Sequence, residues 1–344
     1  MSGGVDSSVA AALLVEQGYD VVGVMLRLWA SGWREETPAG NRCCSLDAVD
    51  DARRVADAFH FPFYLINAED DFKHYVVDYF LQEYAQGRTP NPCTACNHHI
   101  KFDFLLRRAL AMNADYLATG HYARLARLPD GTVELRRAAD SAKDQSYMLY
   151  MLGQERLRRL IFPLGDMTKE QVREEAVRLG LPVAHKPDSQ DICFVGRDYR
   201  EFLLQNIPEA ILPGELVDTA GRVVGRHAGL PLYTIGQRQG LNLARPERSY
   251  VLGMDTDLNR IVVGGESGLL RTHVRVRQPA FNALAGDGAL EAKIRSHGQL
   301  ASCRLQRDGD CLNVQFDEPQ RAVSPGQVIV FYDGDVVVGG GIID

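Results

Sequence analysis

Long apolar runs are missing from this chain. Nowhere do roughly 18 or more apolar residues follow one another, and no basic segment leads into an apolar one at the start, so a membrane span or secretory leader is not expected and the predicted location is the cytoplasm. Repeats and low-complexity tracts are also absent, which sets aside repeat architectures. Cysteine is sparse: seven in 344 residues, too few for a disulfide scaffold and better read as thiols. A surplus of positive charge is lacking as well. The formal net charge of -7 argues against indiscriminate binding to a phosphate backbone, though only as an average. Between Arg271 and Arg307 seven Lys/Arg face two Asp/Glu, and between Asp308 and Asp344 one faces seven, so a local basic face is possible on an acidic protein. With 45% apolar and 24% charged residues, the chain is long enough for two or three globular domains.

What is present begins with Ser2-Gly3-Gly4-Val5-Asp6-Ser7-Ser8, followed at once by a helical run. Two adjacent glycines let the backbone turn tightly and approach a ligand. Ser2, Ser7, Ser8 and the N–H groups opening the helix offer donors to an anion, which makes a phosphate cradle. The common ATPase loop is excluded, because its lysine would fall where Val5-Asp6-Ser7 stands. A carboxylate at Asp6 suits Mg²⁺ held together with phosphates.

Downstream, the pattern predicts a helix over 8–17, a strand over 20–26, a helix over 46–58, a strand over 61–67 and a long helix over 71–86. Val21, Val22, Val24 and Leu26 read as a strand of a parallel sheet covered on both faces. A loop of this kind should follow a strand, yet the chain opens on the loop. Either about five to ten apolar residues are missing in front or the sheet lacks its central strand, and the former is expected. Cys43 and Cys44 lie in a polar loop and read as a structural pair. In 87–97, two prolines with Asn and Gly force a rigid turn. The spacing of Ile100, Phe104, Leu105 and Ala109 predicts a helix after it, with Cys96 near its start, where partial positive charge favours thiolate. Another short strand over 115–119 ends in Gly120-His121-Tyr122, which makes His121 a candidate wall residue at the carboxyl end of the sheet. A hairpin over 124–137 and helices over 145–151, 154–160 and 169–179 follow. Lys186 to Phe194 present Cys193 on a charged loop. After about Ile207, short strands punctuated by glycine predict a small β-rich domain. From Thr272, period-two alternation at Val274/Val276, 290–294, 303–305, 311–316 and 328–332 predicts around six strands in a closed or nearly closed barrel.

The glycine-serine loop resembles the pyrophosphate loop of the ATP pyrophosphatase superfamily, and the whole chain resembles the tRNA-specific 2-thiouridylases. The fold class implied is α/β: a parallel-sheet ATP pyrophosphatase domain over 1–206, a small β-rich middle domain over 207–270 and a C-terminal β-barrel that binds tRNA over 271–344. The activity implied is ATP-dependent replacement of the C2 oxygen of the wobble uridine by sulfur. Adenylation turns that oxygen into a leaving group. By resemblance, Cys193 matches the persulfide carrier and Cys96 the second catalytic cysteine. Ser2, Gly3, Gly4, Val5, Asp6, Ser7, Leu26 and Gly120 match positions around ATP, with Mg²⁺ at Asp6. Asn91, Pro92 and Cys93 match the segment meeting the target base, while His121, Lys143, Asp144, Gln145, Arg295, Ser296 and Gln327 match places of tRNA contact. Many members carry Asp at Cys93 and Arg-Tyr at Arg295-Ser296, so no general-base role is assigned to Cys93 and a stacking platform is lost at Ser296. Cys93, Cys96 and Cys193 together raise an alternative, a [4Fe-4S] cluster with one open iron. The resemblance further implies tRNAs for Glu, Gln and Lys and a persulfide-donating sulfur carrier or cysteine desulfurase; the sequence does not fix the oligomeric state, and a monomer is the expectation. Two rivals remain: another adenylating member of the superfamily, and a non-catalytic tRNA- or nucleotide-binding protein.

Overall fold

The computed structural model describes residues 1–28, 46–187, 192–196, 198–243, 248–283 and 290–344. Cys43, Cys44 and the segment 188–191 lie outside the described residues. The helix Val5–Glu16 leads into the strand Gly23–Arg27, and after the helix Leu46–Ala58 the strand Phe63–Asn67 pairs parallel with that first strand. A second parallel pair joins Leu117–Ala118 to Leu160–Ile161, and the two pairs are separate sheets. Helix Val5–Glu16 is buried through Val5, Val9, Ala10 and Ala11, with small residues that let it pack closely against the helix Lys169–Arg178.

Two long helical segments carry π-helical turns, Lys73–Asp78 and Cys96–Leu105, the second running unbroken from Pro92 to Ala111. Such wide turns are uncommon and recur at functional sites. Between them lies an aromatic-rich core of Phe72, Phe80, Tyr84, Ile100, Phe104, Phe194 and Leu203.

The middle of the chain forms a four-stranded sheet in the order Val223–His227, Gly214–Asp218, Arg260–Gly264, Tyr250–Asp255, closed over Leu216, Val251, Ile261 and Val263. The barrel is closed. Strands Leu270–Phe281, Cys311–Arg321, Ala301–Asp308, Leu290–Lys293, Val328–Asp333 and Val336–Ile343 follow one another around it, and the last pairs back with the first. Strand Val328–Asp333 serves two cores. Ile329 and Phe331 point into the barrel, whereas Val328, Val330 and Tyr332 pack against Phe102, Leu105, Tyr147 and Leu149 of the nucleotide-loop domain. That explains a strand buried on both faces, and it fixes the barrel against the helix that bears Cys96.

The arginine-rich half of the barrel folds against its acidic half. Arg275 lies 3.8 Å from Asp308 and Arg304 lies 4.0 Å from Asp317, which compensates part of the basic face anticipated from the sequence.

Candidate active site

Gly3 adopts φ +67°, and a Cβ there would stand 2.3 Å from the carbonyl oxygen of Ala48. Only glycine fits, on both counts. Gly4 is the N-cap of the first helix, and no side chain caps it, so the N–H groups of its first turn stay available to an anion. The serines brace the loop. Ser2 N–H donates to Ser7 Oγ at 3.0 Å, and Ser7 and Ser8 hydroxyls donate to the Gly4 carbonyl at 3.2 and 2.9 Å. Gly120 presses on the same turn, where a Cβ would meet the Asp6 carbonyl carbon at 2.8 Å and Ser7 N at 3.0 Å.

Two lysines reach the loop from distant segments. Lys169 Nζ donates to Asp6 Oδ1 at 2.7 Å, and Lys186 Nζ donates to the Gly3 carbonyl at 2.9 Å and to Asp51 Oδ2 at 2.8 Å. Tyr122 also donates its hydroxyl to Asp6 Oδ1, at 2.8 Å. Sequence reasoning missed all three. A signal existed for Lys169: it occupies the first turn of a helix capped by Thr168, where the macrodipole disfavours a cation unless an anion is close. Both donors to Asp6 use Oδ1, and Oδ2 accepts no hydrogen bond among the described residues. One carboxylate beside a phosphate site fits Mg²⁺, which relies on substrate phosphates and water for its other ligands.

The cysteine turn is organised by Asn91. Its Oδ1 accepts from the N–H groups of Cys93 and Thr94, both at 3.2 Å, and Pro92 stands at the first helical position, where no N–H is needed. The helix thus begins well before Ile100. Cys93 lies in its exposed first turn, and Cys96 lies one turn further in, buried at 8% exposure. Cys96 is therefore deeper in the helix than its predicted place at the start. Cys96 belongs to the aromatic-rich core, and half-buried Cys193 packs on that same core between Ile192 and Phe194. Leu26, at the carboxyl end of the strand Gly23–Arg27, touches this core and the neighbouring one, linking the thiols to the sheet beside the phosphate loop. Cys93, Cys96, Cys193, Cys303 and Cys311 are thiols. Cys303 is pushed up to about 12 by burial inside the barrel, which leaves it inert. Among the described residues no three Cys, His, Asp or Glu side chains converge as a metal site, so the three thiols considered for a cluster are not gathered into one.

The barrel grips the turn from outside. Gln327 Nε2 donates to the carbonyl oxygens of Thr89 and Pro90 at 2.9 and 3.4 Å, and Thr89 N–H donates to Pro325 O at 2.8 Å. Gly326, with φ +86°, lies so near that a Cβ would come 2.9 Å from Thr89 N. Beside this contact, buried Glu83 accepts from Arg88 through both oxygens, at 2.7 and 2.9 Å, and from Arg277 of the barrel at 2.8 Å.

Other residues matched to tRNA contact are placed inside. Asp144 has a side chain only 2% exposed. Its Oδ1 accepts from Ala138 and Ser146 N–H at 3.1 Å, and Oδ2 lies 3.6 Å from Arg137 and 3.7 Å from Lys293. Those separations exceed a hydrogen bond, so the carboxylate is held by charge at Oδ2 and is out of reach of a macromolecule. His121 is likewise buried, between Phe102 and Phe162 with Nδ1 2.7 Å from Thr119 Oγ1, and desolvation holds its pKa well below 6.5. Its ring is therefore neutral and lies inside the packed wall. Gln145 is exposed yet accepts Tyr122 N–H on its side-chain oxygen at 3.0 Å, and Lys143 is half-buried nearby. Arg295 is exposed and donates to the Ala322 carbonyl, with half-buried Ser296 next to it.

Residues 1–197, 200–265 and 271–343 match three family profiles, described as a tRNA methyl transferase HUP domain, a tRNA methyl transferase PRC-barrel domain and an aminomethyltransferase beta-barrel domain. The tRNA-specific 2-thiouridylase MnmA of Lachnoclostridium phytofermentans is 46% identical over all of this chain and 98% of its own length. The protein of the same name from Roseiflexus sp. (strain RS-1) is 49% identical over all of this chain and 97% of its own. The chain belongs to the tRNA-specific 2-thiouridylase family. For this family member the α/β HUP domain, the middle domain and the closed barrel are the expected parts, all present. Among solved structures, the U34-tRNA thiolase NcsA from Methanococcus maripaludis with its [4Fe-4S] cluster is 21% identical with a TM-score of 0.36, covering 61% of this chain and 66% of that one.

Proposed function

We propose that this 2-thiouridylase family member is an ATP-dependent tRNA-uridine 2-sulfurtransferase acting on the wobble base, position 34, through a cysteine persulfide. The observation that carries this reading is that Cys96 and Cys193, distant in the chain, pack on one apolar core next to the sheet edge marked by Leu26. The β and γ phosphates of ATP sit on the N–H groups after Gly4, with Lys169 and Lys186 neutralising them, which exposes the α-phosphorus. Mg²⁺ held by Asp6 with the phosphates would offset charge growing on pyrophosphate. The uridine C2 oxygen attacks the α-phosphorus and pyrophosphate leaves. The terminal sulfur of a persulfide on Cys193 then adds at C2, and AMP departs with the former O2. Cys96 thiolate attacks Cys193 Sγ, breaking the S–S bond to yield 2-thiouridine and a Cys96–Cys193 disulfide, which a dithiol reductant resets.

The cluster alternative needs Cys93 to join the two thiols, but Cys93 faces solvent while Cys96 is buried. In the persulfide reading residues 1–206 bind nucleotide and carry the thiols, whereas 207–270 and 271–344 hold the tRNA. Asn91, Pro92 and Cys93 meet the flipped base, and Lys143, Gln145 and Arg295 contact RNA. The substrates are the Glu, Gln and Lys tRNAs, served in the cytoplasm by a monomer that receives sulfur from a carrier protein or a cysteine desulfurase. Labelling O2 of the target uridine with ¹⁸O tests the first step: the label is expected in AMP. Label retained in the tRNA or released in water would overturn adenylation.

A further inference from the structure

A cleft of about 620 Å³ lies between the helix Tyr199–Asn206 and the loop 232–240, lined by Arg200, Tyr233, Gln237, Arg238, Gln239 and Gly240. Its volume suits a small polar ligand or one unit of a polymer. Two guanidinium groups line it, and among the described residues no carboxylate does, on a chain of net charge -7. Such a local inversion of charge is the footprint of a phosphate ester.

The walls are built, not incidental. Arg200 Nε donates to Leu232 O at 3.0 Å and its guanidinium lies 5.3 Å from the Tyr199 ring centre, while Asp198 stands 3.8 Å away with both side chains about two-fifths exposed, where an ion pair is weak. Opposite it, Gln237 locks the loop: its Oε1 accepts from Thr234 N–H at 3.1 Å, its Nε2 donates to Gln239 O at 2.9 Å, and its carbonyl accepts from Val251 N–H at 3.0 Å. Gly236 and Gly240, at φ +87° and +79°, allow the bends. The result pushes Arg238 outward at the tip, exposed and with no ion pair among the described residues.

Position favours RNA over a free nucleotide. Leu203, Phe202 and Tyr199 of the same helix pack on the core that holds Cys96 and Cys193. The cleft thus borders a helix, about 10 Å across, that packs on the core holding the thiols. Guanidinium groups grip phosphate oxygens in pairs, and the side-chain amide of Gln239 suits a ribose 2′-hydroxyl.

We propose that this cleft binds a phosphodiester of the RNA substrate through Arg238 and Arg200, as a holding site separate from the reacting centre. The inference rests on the thiolase reading. Its test uses the full chain, with wild type, Arg238→Ala and Arg238→Lys compared for tRNA binding by anisotropy between 50 and 200 mM salt, for ATP binding, and for thiolation kinetics. Arg238→Ala is expected to weaken tRNA binding about five- to twentyfold and to flatten the log–log salt slope by nearly one. The KM for tRNA should rise with kcat and ATP affinity unchanged. Arg238→Lys should keep the slope and lose only part of the affinity. Equal tRNA affinity and slope in wild type and Arg238→Ala would overturn the inference while leaving the thiolase reading intact. Lost ATP affinity would instead assign the cleft to a free nucleotide, and a wild type that neither binds nor thiolates tRNA would remove both.

Discussion

Gly3 is the position where one methyl group would do most harm. Alanine there must adopt a left-handed backbone, costing about 1–2 kcal/mol, and must displace the Ala48 carbonyl from 2.3 Å. Gly3→Ala is expected to lower ATP affinity by about tenfold or more, which calorimetric titration reads directly. Unchanged affinity would mean that the loop is not where phosphate binds. Three histidines make the second residue-scale argument. Burial pushes His98 down to about 4, with His99 and Arg156 adding to it. Burial also lowers His99, and it takes His121 well below 6.5. Each folded value lies below the unfolded one, so the unfolded chain binds more protons between about pH 6.5 and 4. Their contribution to stability is complete above pH 6.5 and is lost as the pH falls toward 4. Urea unfolding across that range should give a falling unfolding free energy, and His98→Gln should flatten it by about 1–2 kcal/mol, allowing for a partly exposed ring. A variant with the same pH slope as wild type would contradict this.

At the scale of elements, the turn over 88–92 is held by the barrel as well as by its flanking helices. Gln327→Ala removes the side-chain bond to Thr89 and Pro90, and Glu83→Gln leaves Arg88 and Arg277 facing each other with their buried partner neutralised. Both are expected to lower kcat for thiolation, about three- to tenfold for Gln327→Ala, with ATP affinity kept. Single-turnover rates check this, and a Gln327→Ala enzyme as fast as wild type would remove the barrel's role in placing the cysteines. This contact also marks the limit of reading from sequence. The helix Leu46–Ala58 and the hairpin strands were legible because their patterns are local. Barrel closure was legible from alternation, except in the strand Val336–Ile343, whose glycines carry no period. Those glycines answer a tertiary demand, since a Cβ at Gly339 would lie 2.3 Å from Ala280 O and one at Gly340 2.4 Å from Ile329 O. Gly3, Gly4 and Asp6 could be found in one heptapeptide, but Lys169, Lys186 and Tyr122 converge on it from far along the chain, and no short-range pattern announces that. Asp144 and His121 show the same limit: the resemblance matched both to tRNA contact, and their burial follows only from tertiary packing.

For the molecule as a whole, the proposed division gives the chemistry to residues 1–206 and the holding of tRNA to the rest. A wobble base must leave its stack at a cost of about a few kcal/mol, and contacts far from the pocket are what supply it. Isolated uridine should therefore be thiolated far more slowly than tRNA, and comparable rates would show that the outer domains do not contribute. The central claim is that ATP activates the C2 oxygen while Cys96 and Cys193 deliver sulfur to it. Mass spectrometry of wobble nucleosides after incubation with tRNA, Mg-ATP and a persulfide source tests it most directly, using wild type, Cys96→Ser and Cys193→Ser. The account expects 2-thiouridine from wild type only, with pyrophosphate still released by both variants. Full thiolation by Cys193→Ser, or by wild type without ATP, would contradict it.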